Sequence, residues 1–214
     1  MTELLTPANK NFFFGYYDKK PTNDKNNLLL SHHVDSIGKE IDKNDIAKIK
    51  IINLKTDQIT LVDETNCWNY QQGSQLQWLN ENEFIYNFYD KKYFSKVINI
   101  KNLKCIHETK FPIYSLSNDK KIYSTVDYSR LNFFREGYGY KILNYENSDS
   151  LLKICDFKTS KILVDIGKSD INGLLNIDYE NCWVDHILFA PNSYNFTFLF
   201  RYKNDKTNLF TSLI

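Results

Sequence analysis

The sequence predicts an all-β fold, a β-propeller built of four-stranded antiparallel blades. Aromatic residues make up 15% of the chain, with 15 Tyr and 15 Phe, and these residue types favour strands over helices. Few segments of the sequence repeat apolar residues at the 3.6-residue period of a helix. Groups of four strand candidates, in contrast, recur along the chain. Their spacing is roughly 40–50 residues, the size of one propeller blade.

Each repeat opens with an apolar strand, a short polar turn and a second, more apolar strand. Asn, Asp, Ser and Pro supply the turns, because Pro presets φ while Asn and Asp bond their own backbone and tolerate positive φ. In the first three repeats a second hairpin follows, with polar turns at 55–57, 101–103 and 158–160. We therefore expect blades near 11–64, 65–110 and 111–166.

A partial fourth blade is expected over 167–214, so that residues 1–214 form a single propeller-like domain. Closed propellers usually have about four to eight blades, so three complete blades and a partial one make an incomplete ring. We interpret this as truncation of a longer protein at its C-terminus. The alternative is a partner chain that covers the open side. A two-sheet β-sandwich is the alternative fold, because it also has short strands separated by turns.

Composition excludes several classes of protein. Lys and Arg total 27 and Asp and Glu total 26, so no global basic field exists to hold a nucleic acid. No stretch approaches a membrane span and the first ten residues contain no apolar signal region, so we expect a soluble cytoplasmic protein. No Cys-x-x-Cys pair occurs, which predicts reduced, mostly buried thiols at the four cysteines, Cys67, Cys105, Cys155 and Cys182.

Two turns resemble a known family. Residues 117–122, Ser-Asn-Asp-Lys-Lys-Ile, and 189–193, Phe-Ala-Pro-Asn-Ser, are similar to the Ser-Pro-Asp-Gly-Lys turn of TolB-like propellers, relatives of the WD-repeat class. Within that group, residues 185–191 resemble the strand of oligogalacturonate lyases that carries a metal-binding His. Enzymes of that family cleave uronic-acid oligosaccharides by metal-assisted β-elimination. The resemblance implies that His186 binds a divalent metal in the same way. Leu188 stands where that family has a Gln.

Two further segments, 15–19 and 68–73, resemble parts of uncharacterised propellers associated with bacterial surface-polysaccharide loci. This resemblance implies a role in surface-glycan metabolism.

The candidate site residues lie on or near loops that emerge on the same face of the predicted blades. In an up-and-down blade, the loop entering the first strand and the loop between the second and third strands emerge together, and functional residues gather on such loops. We assign catalysis to three residues that folding could bring together, Asp127, Asp185 and His186. We assign ligand binding to residues on these loops and beside them: Tyr17, His33, Asp35, Trp68, Asn69, Gln71, Gln72, Arg130, Arg135 and Trp183.

Each assignment has a structural alternative. Trp68 beside three amides suits a sugar, because an aromatic face covers the ring while amides bond its hydroxyls, but Trp183 recurs at the same blade position, which favours packing. Adjacent His residues on a strand point to opposite faces, so at most one of His32 and His33 faces the centre. Residues 127–150, with two Arg and several aromatics, form either a lid over an acidic ligand or a surface loop.

These features favour a propeller that binds a carbohydrate or an acidic ligand. Any reaction would be lyase-type or hydrolytic, with His186 or one of the His32–His33 pair as metal ligand or base. The alternatives are a non-catalytic platform for a protein partner and a truncated, inactive remnant. A concave pocket beside Trp68 and His186 would favour the small ligand, and a flat surface would favour the protein partner.

Overall fold

The computed structural model describes Thr6 and residues 11–175, 180–192, 195–203 and 210–213, the last four by their backbone alone. The chain divides into two compact units, Met1–Glu108 and Thr109–Ile214. Each unit contains two antiparallel sheets whose strands are paired in chain order. The predicted all-β architecture of antiparallel four-stranded sheets is confirmed at this level, and the number of blades in the fold stays a prediction.

The first unit contains eight described strands in two four-stranded sheets, of order β1-β2-β3-β4 and β5-β6-β7-β8. Their bounds are β1 Phe12–Phe13, β2 Leu28–His33, β3 Ala47–Asn53, β4 Ile59–Thr65, β5 Gln77–Asn80, β6 Glu83–Asp90, β7 Lys92–Asn99 and β8 Lys104–Glu108.

The second unit contains a four-stranded sheet, of order β9-β10-β11-β12, a three-stranded sheet, of order β13-β14-β15, and two short helices. The bounds are β9 Ser115–Leu116, β10 Ile122–Val126, α1 Tyr128–Phe134, β11 Ser150–Asp156, β12 Ile162–Gly167, α2 Lys168–Leu175, β13 Cys182–Phe189, β14 Phe196–Lys203 and β15 Phe210–Leu213.

The hairpin between the third and fourth strands has the same geometry in all three four-stranded sheets. The last turn residue has a left-handed backbone each time, with φ of +57° at Asp57, +55° at Leu103 and +56° at Ser160. The strand before the turn ends on Asn53, Asn99 or Asp156, whose side-chain oxygen accepts a turn N–H at 2.8–3.0 Å. Such Asx bonds explain why polar residues at these positions specify the predicted turns.

The fourth strand of each of these sheets carries a one-residue β-bulge. The pairing of β4 with β3, of β8 with β7 and of β12 with β11 skips one residue, which is Val62, Ile106 or Leu163. These strands lie at the edge of their sheets, and a bulge there bends and twists the edge. The common bulge shows that the three sheets are built to one pattern.

The core of the first unit lies between its two sheets. Buried apolar side chains from both sheets and from the segment before β5 form one cluster, made of Leu30, Ile49, Ile51, Leu76, Phe84, Tyr86 and Ile98. Ile49 alternates with the less buried Lys48 and Lys50, whereas Phe84 and Tyr86 lie in a run of buried residues, so both faces of the middle of β6 are covered. This packing fixes the ends of β2 and β3, from which the first candidate site is built.

The second unit contains a helix where the sequence predicted a lid or a surface loop. The Asp127 side chain accepts hydrogen bonds from the backbone N–H groups of Ser129 and Arg130 and so caps α1. Leu131 and Phe134 are buried, and the Phe134 ring stacks on Trp183 with centroids 5.5 Å apart. At seven residues the helix is too short to show a clear apolar period.

The remaining expectations concern cysteines and membrane spans. Cys67, Cys155 and Cys182 are buried, Cys105 is exposed, and all four are free thiols, in agreement with the prediction. Within the described ranges, neither helix has the length and apolar character needed to cross a bilayer.

Candidate functional site

A cavity of about 340 Å³ opens at the ends of β2, β3 and β4 in the first unit, and we call it the Trp68 cavity. Its volume lies within the roughly 300–1,000 Å³ typical of small-ligand sites. Its walls combine apolar, amide, carboxylate and ammonium groups. The lining residues are Val34, Asp35, Ser36, Lys39, Asn44, Asp45, Ile46, Lys48, Glu64 and Trp68.

Asp45 organises this cavity. Its carboxylate accepts from Lys39 Nζ at 2.8 Å and from the Asp42 N–H at 2.8 Å, and its backbone oxygen accepts from Trp68 Nε1 at 2.9 Å. The hydrogen bond with Lys39 lowers the pKa of Asp45 and raises the pKa of Lys39, because each favours the charged form of the other. The loop between β2 and β3 is therefore held against the indole.

Asp35 and Lys48 form the opposite, more open part of the lining. Lys48 Nζ lies 3.4 Å from Asp35 Oδ1, and the Asp35 side chain is 89% exposed. Lys48 faces Glu64 across the β3–β4 pair. These groups can accept from and donate to a ligand without first breaking a buried interaction.

Two of the predicted ligand-binding residues, Asp35 and Trp68, thus line one cavity. Trp68 is 3% exposed and its N–H is already bonded, so little of the indole is left to contact a ligand. This position agrees with the packing alternative as well as with a place in the cavity wall.

The other predicted residues of the first unit lie outside the cavity lining. Asn69 and Gln72 are buried in the turn after Trp68, where Asn69 Oδ1 accepts from the Gln72 N–H at 2.7 Å. Gln71 is exposed in the same turn, and Tyr17 is 82% exposed. The His33 ring lies 4.9 Å from that of Phe12.

The adjacent His32 is fully buried and serves the same turn. Its ring stacks on Phe13 at 4.8 Å, and its Nε2 accepts from the Ser74 N–H at 3.1 Å. Burial lowers the pKa of His32 to about 4, although backbone groups of Phe14 and Phe13 act in the opposite direction. His32 is therefore neutral at neutral pH and holds the turn next to Gly73.

Four predicted residues come together with Arg201, which was not predicted, in the second unit. We call this group the Asp185 cluster: Arg135, Trp183, Asp185, His186 and Arg201. Asp185 is fully buried. Its Oδ1 accepts from His186 Nδ1 at 2.7 Å and from Arg201 Nε at 2.9 Å, and its Oδ2 accepts from Arg135 Nη1 at 2.7 Å and from Trp183 Nε1 at 3.3 Å. Four donors fill the acceptor positions of this carboxylate.

These contacts fix the charge of Asp185. Burial alone raises the pKa of a carboxyl group, but the hydrogen bonds from His186, Arg201 and Arg135 outweigh it and lower the pKa of Asp185 to about 2. An ionised Asp185 must accept from His186, so His186 carries its proton on Nδ1 when the ring is neutral. The lone pair of that ring then lies on Nε2.

His186 adopts an uncommon backbone conformation. Its φ is +52°, in the left-handed region, and it lies in a β-bulge of β13 where the pairing with β14 shifts between Asp185 and Leu188. Its N–H donates to Tyr114 Oη at 2.8 Å. Non-glycine residues seldom adopt positive φ, and such positions cluster at functional sites.

Asp127 and Arg130 have other roles in the structure. Asp127 caps α1, as described above. Arg130 is 2% exposed, donates from Nη2 to the Ser148 carbonyl and lies over the Tyr145 ring. Of the predicted catalytic residues, Asp185 and His186 are therefore in contact, while the Asp127 carboxylate bonds the helix N-terminus.

A divalent metal, implied at His186 by the family resemblance, does not fit this cluster. His186 could offer a metal only Nε2, because its Nδ1 donates to Asp185, and the Asp185 carboxylate is paired with two guanidinium groups and so gives no second ligand. In the described part of the chain, no group of three or more His, Cys, Asp or Glu is placed to hold a metal ion. Two guanidinium charges also repel a cation.

Sequence reasoning missed most of the cavity lining and one arginine of the cluster. Lys39, Asn44 and Asp45 follow Asp35 in the same loop between the second and third strands, so the rule that found Asp35 could have found them. The same rule could not have found Arg201. This residue contacts Asp185 only because it pairs with Trp183 across β13 and β14.

Comparison with known proteins gives no family for this chain. No family model matches the sequence, and no curated protein matches it. Among solved structures, an oligogalacturonate lyase in complex with manganese is 12% identical, with a TM-score of 0.49 and coverage of 98% of this chain and 68% of that one. An oligogalacturonate lyase from Vibrio parahaemolyticus is 11% identical, with a TM-score of 0.40 and the same coverage. Similarity at this level assigns no function.

Proposed function

We propose that the chain binds a carbohydrate or a similar polyhydroxylated ligand in the Trp68 cavity. One observation carries the proposal: a 340 Å³ cavity is lined by three carboxylates, two ammonium groups and an amide beside an apolar wall. Sugar hydroxyls both donate and accept, so a ligand of this class matches a lining of mixed polarity. The apolar wall, which includes Val34 and Ile46, suits the C–H face of a sugar ring.

The charges of the cavity favour a polyhydroxylated ligand over an acidic one. Asp35, Asp45 and Glu64 outnumber Lys39 and Lys48, and Lys39 is already paired with Asp45. A strongly acidic ligand would therefore meet a net negative lining. The concave shape beside Trp68 also favours a small ligand over a protein surface. His186 is not among the lining residues, so this supports only the part of the sequence-based criterion that concerns Trp68.

Calorimetric titration of the full chain with neutral and uronic-acid oligosaccharides tests the proposal. We expect saturable binding of a neutral oligosaccharide. Asp35→Asn should weaken it about tenfold, because a hydrogen bond to a charged group is lost. Asp35 is exposed, so the variant should fold normally.

Asp24→Asn is the matched control, because Asp24 has an 84% exposed side chain and lies outside the cavity lining. It should leave the affinity unchanged. Absence of saturable binding with every oligosaccharide, or equal weakening by the two variants, would refute the proposal.

A second candidate function concerns His186, and the observation that favours it is the 2.7 Å contact with Asp185. We propose that His186 acts as a general base through Nε2, with Asp185 holding the tautomer. In a lyase reaction, Nε2 would take the proton from the carbon beside a uronic carboxylate. That electron pair would form a double bond, and the glycosidic oxygen would leave and take a proton from water.

His186→Asn tests this role, because Asn tolerates positive φ and cannot act as a base. We expect it to slow the reaction at least about 100-fold, the usual contribution of a general base. Turnover of uronic-acid oligosaccharides is followed by ultraviolet absorbance of the new double bond, which only elimination forms, and by new reducing ends, which elimination and hydrolysis both form. His107→Asn is the control, because His107 lies in β8 of the other unit. Equal rates in the two variants, or no product by either assay, would rule the role out.

A further inference from the structure

We infer that Arg135 and Arg201 of the Asp185 cluster, with the exposed side of His186, form a binding site for an anionic group of a ligand. The group is a carboxylate, a phosphate or a sulfate. The residues of this site belong to the second unit, whereas the Trp68 cavity is lined by residues of the first, and the site requires no reaction at His186. The inference therefore goes beyond both proposals above. If it fails, both of those proposals still stand.

Both arginines have N–H donors that are not bonded to any residue in the described ranges. A guanidinium has five N–H donors, and in the described part of the chain Arg135 gives one to Asp185 through Nη1 and Arg201 gives one through Nε. Their side chains are 27% and 18% exposed, and that of His186 is 20% exposed. Both arginine side chains are therefore partly accessible to a ligand from solvent.

Asp185 holds the two guanidinium groups together. Each of them lies within 3 Å of one oxygen of the same carboxylate, at 2.7 Å for Arg135 and 2.9 Å for Arg201. Arg135 is fixed further by the Tyr138 ring, whose centroid is 3.5 Å from its Cζ. Two like charges held side by side before a ligand arrives form a preorganised anion site, since no further repulsion has to be overcome on binding.

The charge of the cluster has the sign that an anion requires. Two guanidinium groups face one carboxylate, so these three side chains together carry an excess of one positive charge. Asp185 is fully buried, so the repulsive carboxylate lies beneath the arginines and the arginines lie on the accessible side. Guanidinium groups bind planar and tetrahedral oxyanions through paired N–H donors. The same charges that exclude a metal therefore favour an anion.

Titration of the full chain with acetate, phosphate and sulfate at constant ionic strength tests the inference and distinguishes the three kinds of anion. We expect saturable binding of at least one anion, and a shift of the Trp183 indole signal in NMR spectra, because that N–H donates to Asp185. Arg135→Gln and Arg201→Gln should each weaken binding about tenfold, the effect of one charge-assisted hydrogen bond.

The control is Lys121→Gln, which removes the same charge from an 80% exposed side chain of the same unit. It should leave the affinity unchanged. If a Gln variant does not fold, Arg135→Lys keeps the charge but loses the paired donors, and it should still weaken binding several-fold. The inference is overturned if none of the three anions saturates, if Lys121→Gln weakens binding as much as the Arg variants do, or if Arg135→Lys binds all three anions as the parent chain does.

Discussion

Replacing Gly73 by Ala should lower the free energy of unfolding by about 2–5 kcal/mol. Gly73 has a φ of +60°, which disfavours any residue with a Cβ, and an added Cβ would lie 2.5 Å from His32 Cε1 and 2.8 Å from the Phe14 carbonyl oxygen. The His32 ring cannot move aside easily, because it is buried, stacked on Phe13 and bonded to Ser74. Urea unfolding of the two chains measures the difference.

Gly38 separates the two causes of this loss. It also has a positive φ, +88°, but an added Cβ would meet nothing within 4 Å. Gly38→Ala should therefore cost only the backbone penalty, about 1 kcal/mol. Equal losses at Gly38 and Gly73 would mean that the contact with His32 contributes nothing.

Asp185→Asn should destabilise the second unit by about 3–5 kcal/mol, because it removes a buried charge that two guanidinium groups share. The loss includes the hydrogen bond from His186 Nδ1–H, since the amide offers a single acceptor oxygen where the carboxylate offers two. Asp24→Asn, at an exposed position, should change the stability by less than about 0.5 kcal/mol. Thermal and urea unfolding of the two variants, followed by circular dichroism, give the comparison.

The lowered pKa of Asp185 predicts that the stability of the second unit depends on pH. Its pKa is about 2 in the folded chain against an ordinary value of 3.8. A carboxylate with a lowered pKa contributes stability that is fully present above 3.8 and is lost as the pH falls through about 2. The size of this contribution is about 2 kcal/mol. The pH dependence of unfolding between 2 and 4 should therefore be shallower in Asp185→Asn than in the parent chain, and an unchanged slope would contradict the pKa shift.

The strands could be predicted because their signals are local. Asn53, Asn99 and Asp156 each end a strand and bond the following turn, so a hairpin is specified within a few residues. Short apolar runs then identify the strands on either side. Helix α1 was not predicted, because its cap at Asp127 is followed by too few residues to show a helical period.

The candidate sites were predictable only in part, because their residues meet through pairing and packing. Trp68 and Asp35 were found from residue type and loop position, but the hydrogen bond from Trp68 Nε1 to the Asp45 backbone oxygen depends on how the loop after β2 folds back. Arg201 reaches Asp185 through strand register, and Arg135 does so from the end of α1. Neither relation is visible in a single sequence.

The edge bulges at Val62, Ile106 and Leu163 have a consequence for the behaviour of the protein at high concentration. An exposed edge strand with apolar side chains offers a template on which a second chain can add a strand, and Leu61, Ile106 and Leu163 are each about half exposed. A bulge interrupts the regular row of donors and acceptors that such an addition needs. We therefore expect the bulges to make the addition of a further strand at these three edges less favourable.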